Sequence, residues 1–254
     1  MENKPKVLIV GPVSPPMGGI ATYVEDMLDS KINDKYDILH LNTARSHSTK
    51  KSLIKNLLLF CNNTCKLLYY LVTQQPKLVH IHTSSYHAFW EKSMFVIISK
   101  VLFRKVILHI HGAKFDEFYQ KNNVVAQYFI KLFLRIPDKV IVLSTYWKDF
   151  FLQLLDNEKI CVIKNGIDYS KFELFETKKR TNKIIKVLFL GNLIERKGVY
   201  DILNSIPIVL SKLGDVHFIF AGSEEKAGEI NKLKDKCINK EFQEYVTFIS
   251  NFSD

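Results

Sequence analysis

An α/β protein built on parallel sheets is the fold class this sequence predicts, and three observations carry that reading. Short apolar runs rich in β-branched residues alternate with longer stretches of helical periodicity. Strands separated by helices pair in parallel, because each crossover returns its helix to a face of the sheet. The alternation occurs twice, in two series divided by "NGIDYSKFELFETKKRTNKI", a turn followed by a charged, polar stretch that reads as an interdomain linker.

The first series opens with a strand at 5–10 (PKVLIV) and a helix near 20–30. Strands at 36–41 (YDILHL), 77–82 (KLVHIH), 106–110 (VILHI), 139–143 (KVIVL) and 160–163 (ICVI) follow. Helical stretches fall between them near 50–73, 88–103, 118–135 and 145–155. The second series holds strands at 186–190 (KVLFL), 216–221 (VHFIFA) and 245–249 (YVTFI), with helices at 197–212 and 224–238. These elements place a first domain at 1–165, a linker at 166–185 and a second domain at 186–254. The sequence ends at "SNFSD", just after a strand, where a further crossover helix is expected. The second domain is therefore expected to be incomplete, and the chain alone to fold its first domain but to show little or no catalysis.

Of the 254 residues, 47% are hydrophobic and 24% charged, which excludes a disordered chain and suffices for a real core. No run of about 18 uncharged apolar residues suggests a membrane span, and "MENKPKVLIV" enters a strand at once, unlike a signal peptide. Cys61, Cys65, Cys161 and Cys237 have no zinc-site spacing and read as buried thiols of a reducing cytoplasm. The net charge of +10 lies wholly in residues 1–180, with 26 basic against 16 acidic residues; beyond them the charges cancel. That asymmetry points the first part of the chain at an anionic partner. No RNA-module, helix-turn-helix or zinc-finger pattern appears, so nucleic acid is not the expected one.

Ligands of open α/β sheets bind beyond the carboxyl ends of the strands. "GPVSPPMGGIATYVEDML" sits at the first such end, and Gly18 and Gly19 would let backbone amides approach an anion at a helix N-terminus. It is neither G-x-G-x-x-G nor a P-loop, and a turn forced by Pro15 and Pro16 is the alternative. "HIH" at 80–82 and "HIHG" at 109–112 pair His80 with His82, and His109 with His111, on one face of a strand. His80 and His109 read as core residues; His82 and His111 lie nearest the crevice. A four-histidine metal site is disfavoured, because the two strands need not be neighbours, and Gly112 would free the backbone after His111 to turn toward a ligand. In the second series "FLGNLIERKG" ends a strand at Gly191 and places Arg196 and Lys197 at the start of a helix. Cations are unfavourable for that helix dipole unless an anion such as a diphosphate lies between, ordinary surface charge being the alternative.

Taken in order, "P-x-G-G", "HIHG", "IKNGID", "LGNLIERKG" and "FIFAGSEE" resemble the retaining glycosyltransferases of family 4, which have the GT-B fold. The resemblance implies two Rossmann-like domains facing a cleft, an N-terminal acceptor side and a C-terminal side for a nucleotide-sugar donor. It implies no metal and no cofactor. His111 then matches the histidine beside the reacting carbon, and Lys197 the lysine that neutralises the diphosphate. Gly18, Gly19, Gly191, Asn192 and Arg196 join the donor site, and His82 is a candidate on the acceptor side. Asn165, Gly166 and Asp168 match the turn that opens the second domain. Asn192 stands where the family usually has arginine, and the family's later pair of glutamates is absent from this sequence.

The resemblance implies transfer to a glycan or lipid-linked acceptor with retention, as in cell-surface polysaccharide or glycolipid synthesis. A non-catalytic acceptor-binding subunit, completed by a separate chain, or an inactive relic is the alternative. In "KKSLIKNLLLFCNNTCKLLYYLV", Lys51, Lys55 and Lys66 fall near one helical face, while Leu57, Leu58, Cys61, Cys65, Leu68 and Tyr69 crowd the other. Such a helix either lies on anionic lipid or packs on the sheet with a solvated lysine edge. The first reading makes the protein cytoplasmic and peripheral on the inner face of the membrane.

Overall fold

The computed structural model describes residues 4–15, 18–44, 53–112, 114–167, 184–224, 228–239 and 241–250. The chain divides into two units, Met1–Leu174 and Phe175–Asp254. Of the residues the sequence singles out, Pro16, Lys51 and Asp168 lie outside the described residues, as do positions 168–183 of the expected linker.

The first unit runs β1 (Lys6–Gly11), α1 (Gly19–Leu28), β2 (Asp37–Asn42), α2 (Leu53–Tyr69), β3 (Leu78–Thr83) and α3 (His87–Val101). It continues with β4 (Lys105–Ile110), α4 (Phe115–Lys121), α5 (Val124–Arg135), β5 (Lys139–Val142), α6 (Thr145–Phe151) and β6 (Ile160–Val162). All six strands are parallel, in the order β2-β1-β3-β4-β5-β6. The chain leaves β1 toward β2 on one side and returns to β3 on the other, so the order reverses between β1 and β3. In such sheets the ligand crevice lies beyond that reversal.

Alternation along the strands explains the layers. Leu8, Val10, Val79, Ile81, Val106, Leu108, Val140 and Val142 form one core with Leu67 and Leu71, Phe89, Phe95, Phe115, Ile130 and Phe151 from the helices. The intervening positions, Ile9, His80, His82, His109 and Ile141, are also buried but belong to the opposite face. A parallel sheet covered on both faces usually carries aliphatic residues at such positions. Imidazoles there are an exception that packing alone does not explain.

Two local expectations are corrected. The single helix at 118–135 is two helices, because Asn122 Nδ2 donates to the Phe118 carbonyl and Asn123 Oδ1 caps α5 by accepting from Ala126 N–H at 2.9 Å. Cys61 and Cys65 are exposed rather than buried; of the four cysteines only Cys237 is fully buried. The reason lies in α2, which is apolar on two sides. Phe60 and Leu67 turn toward the core, leaving Ile54, Leu57, Leu58 and Leu68 exposed.

The second unit contains β7 (Ile185–Leu190), α7 (Val199–Leu213), β8 (Val216–Ala221), α8 (Glu229–Asn239) and β9 (Val246–Ile249). Its three strands are parallel in the order β7-β8-β9. Leu193, Val199, Leu203, Ile206, Phe218, Phe220 and Leu233 form its core, while Val187, Leu188 and Leu190 on β7 are exposed. Among the described residues no helix is long and apolar enough to cross a membrane.

Candidate functional site

The loop after β1 is held at its start. Val13 N–H donates to Asn42 Oδ1 at 3.3 Å, and Ser14 N–H donates to the Glu25 carboxylate, which ties the loop to α1. Gly18 caps α1 with extended backbone at φ −177°, and its carbonyl accepts from Thr22 N–H at 3.0 Å. Both Gly18 and Gly19 are exposed, and a Cβ on either would meet nothing within 4 Å. Neither glycine is needed for backbone conformation or for packing among the described residues. What their missing side chains leave free is the space outside the helix N-terminus. Gly11 is different: a Cβ there would sit 2.9 Å from Val24 Cγ2 and 3.3 Å from His82 Cβ, so it lets α1 pack against the end of β3.

The two "HIH" runs are on adjacent strands. β3 pairs with β4 so that His82 stands opposite His109, and the objection that these strands need not be neighbours falls. His82 Nδ1 and His111 Nε2 share a hydrogen bond of 2.9 Å. The rings of His109 and His111 stack at 4.1 Å, those of His80 and His109 lie parallel at 5.5 Å, and those of His80 and His82 are 4.3 Å apart. Tyr23 of α1 covers the cluster, with its ring 5.1 Å from both His109 and His111. That contact joins the helix opened by Gly18–Gly19 to His111. Burial holds His80 and His111 down at about 4 and His109 at about 2, mutual repulsion adding to it for His80 and His109. His82 is lowered by burial first and then by its three histidine neighbours and His40. All four rings are therefore neutral at pH 7.

His111 is the partly exposed member, and its N–H donates to the Thr83 carbonyl at 2.8 Å. His82, expected on the acceptor side, is 1% exposed and bonds to His111 instead of facing open solvent. Gly112 has a steric role: a Cβ would lie 2.4 Å from Ser85 Oγ and 2.9 Å from Ser85 N, so glycine lets the loops after β3 and β4 touch. Its backbone needs no left-handed conformation, which corrects the reason given for it above.

In the second unit the ends of β7 and β8 meet as a pair of glycines. Gly191 N–H donates to the Ala221 carbonyl and Leu193 N–H to the Ser223 carbonyl, each at 2.9 Å. A Cβ on Gly222 would lie 1.8 Å from the Gly191 carbonyl oxygen. Ser223 Oγ donates to Asn192 Oδ1 at 3.4 Å, so Asn192 belongs to this loop pair. Arg196 and Lys197 occupy a separate one-turn helix, Glu195–Lys197, ahead of α7 rather than its first turn, and both are exposed. Asn165 and Gly166 are exposed after β6. Gly11, Tyr23, Gly222 and Ser223 were missed from sequence, although "FIFAGSEE" contained the last two.

The family model for Glycosyltransferase Family 4 matches residues 17–171. An uncharacterized glycosyltransferase of Methanocaldococcus jannaschii is 26% identical over 224 residues, which cover 85% of this chain and 58% of that protein. The chain thus spans under two thirds of that relative's length. Among solved structures, the catalytic domain of starch synthase IV from Arabidopsis thaliana, bound to ADP and acarbose, aligns with a TM-score of 0.70 at 10% identity, covering 99% of this chain and 75% of that one. Sucrose-phosphate synthase from Thermosynechococcus elongatus aligns with a TM-score of 0.64 at 14% identity over 99% of this chain and 71% of that one. Those two likenesses speak for the GT-B fold; the family match covers more than half of the sequence and includes both histidine strands, and the chain belongs to glycosyltransferase family 4.

Proposed function

We propose that this chain belongs to an enzyme that, in its active form, transfers a sugar from a nucleotide-sugar donor to a glycan or lipid-linked acceptor with retention of configuration, in cell-surface polysaccharide or glycolipid synthesis. The observation that carries the reading is the convergence of α1 and His111 at the strand-order reversal, through Tyr23. The second unit supplies donor contacts: Arg196 and Lys197 for the diphosphate, and the Gly191–Asn192 backbone approaching it closely. The first unit holds the acceptor and presents Gly18, Gly19 and His111. In the donor complex a sugar hydroxyl bonds His111 Nδ1, which is buried and without a hydrogen-bond partner among the described residues. His82 is a positioning residue that holds the His111 ring.

The reaction breaks the bond between sugar C1 and the phosphate oxygen and forms one from C1 to the acceptor oxygen on the same face. The acceptor proton passes to the departing phosphate oxygen, so no carboxylate pair is required. The two basic residues take up the charge that grows on the leaving group, and the reaction needs no metal for that step. Product analysis by NMR after incubating an active form of the enzyme with a panel of nucleotide sugars and glycan acceptors tests this. A new linkage with the donor's anomeric configuration is expected; an inverted linkage contradicts it.

A lipid surface is the proposed setting for the acceptor. Ile54, Leu57 and Leu58 of α2 are 71%, 61% and 63% exposed, and Leu68 and Val72 extend the stripe. Lys55 and Lys66 are exposed on the same helix, within the part of the chain that carries the whole +10 charge. An apolar stripe beside lysines is the pattern of a helix lying on anionic headgroups. The protein is expected to sediment with anionic vesicles and to release as salt rises. Replacing Leu57 and Leu58 by Ser should weaken that binding. Equal binding to neutral vesicles contradicts it.

A further inference from the structure

We infer that His80, His82 and His109 form a site for one divalent d-block cation of the zinc class, inside the first unit. Ring nitrogens of these three residues all lie within 4.8 Å of one another. A tetrahedral zinc ion with metal–nitrogen bonds of about 2.0–2.1 Å wants its ligand atoms roughly 3.4 Å apart. Small rotations of three rings close that difference, while the backbone already holds them. β3 and β4 are hydrogen-bonded neighbours with His82 in register with His109, and His80 precedes His82 on the same face.

The unpaired atoms point the same way. His80 Nε2, His82 Nε2 and both ring nitrogens of His109 are buried and have no hydrogen-bond partner among the described residues. A buried polar atom without a partner forfeits its hydration with no return. Coordination would use one lone pair from each ring. His82 already has the arrangement of a ligand: if Nδ1 donates to His111 Nε2, at 2.9 Å, its Nε2 is left as a bare lone pair. The donor set is wholly imidazole, which suits zinc, cobalt, nickel or copper and not magnesium or calcium. Three protein nitrogens leave a fourth position for water or an anion. The consequence for function runs through His82. An ion on its Nε2 fixes the ring and polarises Nδ1–H, holding His111 in place.

The test is titration of the chelator-treated full chain with Co²⁺, followed by visible absorption. One Co²⁺ per chain, with the intense bands of a tetrahedral site, is expected, displaced by one equivalent of Zn²⁺ and untouched by excess Mg²⁺. The double variant His80→Leu, His109→Leu should lose the bands, while His87→Ala, an exposed histidine at the start of α3, should keep them. Since the double variant can disturb the core, the wild-type protein gives a second reading. On adding Zn²⁺, the ring ¹⁵N resonances of His80, His82 and His109 should shift, and those of His87 and His217 should not. Absence of stoichiometric uptake by the wild type, uptake that survives in a folded double variant, or shifts confined to other histidines overturns the proposal. None of these readouts depends on glycosyl transfer.

Discussion

Replacing His111 by Ala should lower the turnover of an active form of the enzyme about 100-fold or more, with the first unit still folded. The residue closes β4 at the end of the sheet where ligands bind, and it is the cluster's partly exposed member. Truncation removes the ring that would contact the donor sugar, together with the partner of His82 Nδ1. Loss of one well-placed hydrogen-bonding group at a reacting centre typically costs about 10²–10³ in turnover. The loss should appear in kcat more than in KM, because the contact matters most as the C1–O bond breaks. Near-UV circular dichroism checks the fold. Unchanged turnover in a folded variant removes His111 from the site.

A second substitution should act through the backbone. Gly222→Ala is expected to destabilise the second unit by about 3 kcal/mol or more and to abolish donor binding. The added methyl would lie 1.8 Å from the Gly191 carbonyl oxygen and 2.6 Å from its carbon. Neither atom belongs to a flexible side chain, so the ends of β7 and β8 must separate. Separation breaks the bonds from Gly191 N–H to Ala221 and from Leu193 N–H to Ser223, and it moves the loop that carries Asn192. Gly19→Ala is the contrast, since a Cβ there meets nothing within 4 Å; its stability should change by less than about 1 kcal/mol. Urea denaturation of both variants decides the matter. Equal stabilities would show that the strand ends are not so tightly joined.

The apolar runs placed every strand to within a residue or so, because buried parallel strands have little choice but to be aliphatic. Sheet order was not legible: nothing in "HIH" and "HIHG" says that these strands touch, and the histidine cluster exists only because β3 and β4 are neighbours. Helix faces were ambiguous for a related reason. On α2 both Phe60–Leu67 and Leu57–Leu68 are apolar at helical spacing, and only contact with Phe95, whose ring stacks on Phe60 at 6.0 Å, says which side is inside. Glycine roles were the least readable. Gly112 reads as a flexible point yet serves close approach to Ser85, and Gly222 hides in a motif whose pairing with Gly191 needs the register of β7 and β8.

That the second unit binds the diphosphate of a nucleotide sugar is the centre of this account, and ligand-observed NMR tests it most directly. Saturation transfer to a panel of nucleotide sugars should reveal a bound nucleoside diphosphate sugar with the wild-type chain, even at weak affinity. Lys197→Ala should weaken that binding at least about 10-fold, the scale of one lost charge-assisted hydrogen bond. Lys77→Ala, an exposed lysine just before β3, should leave it unchanged. No binding of any nucleotide sugar, or binding that ignores the loss of Lys197, would contradict the account.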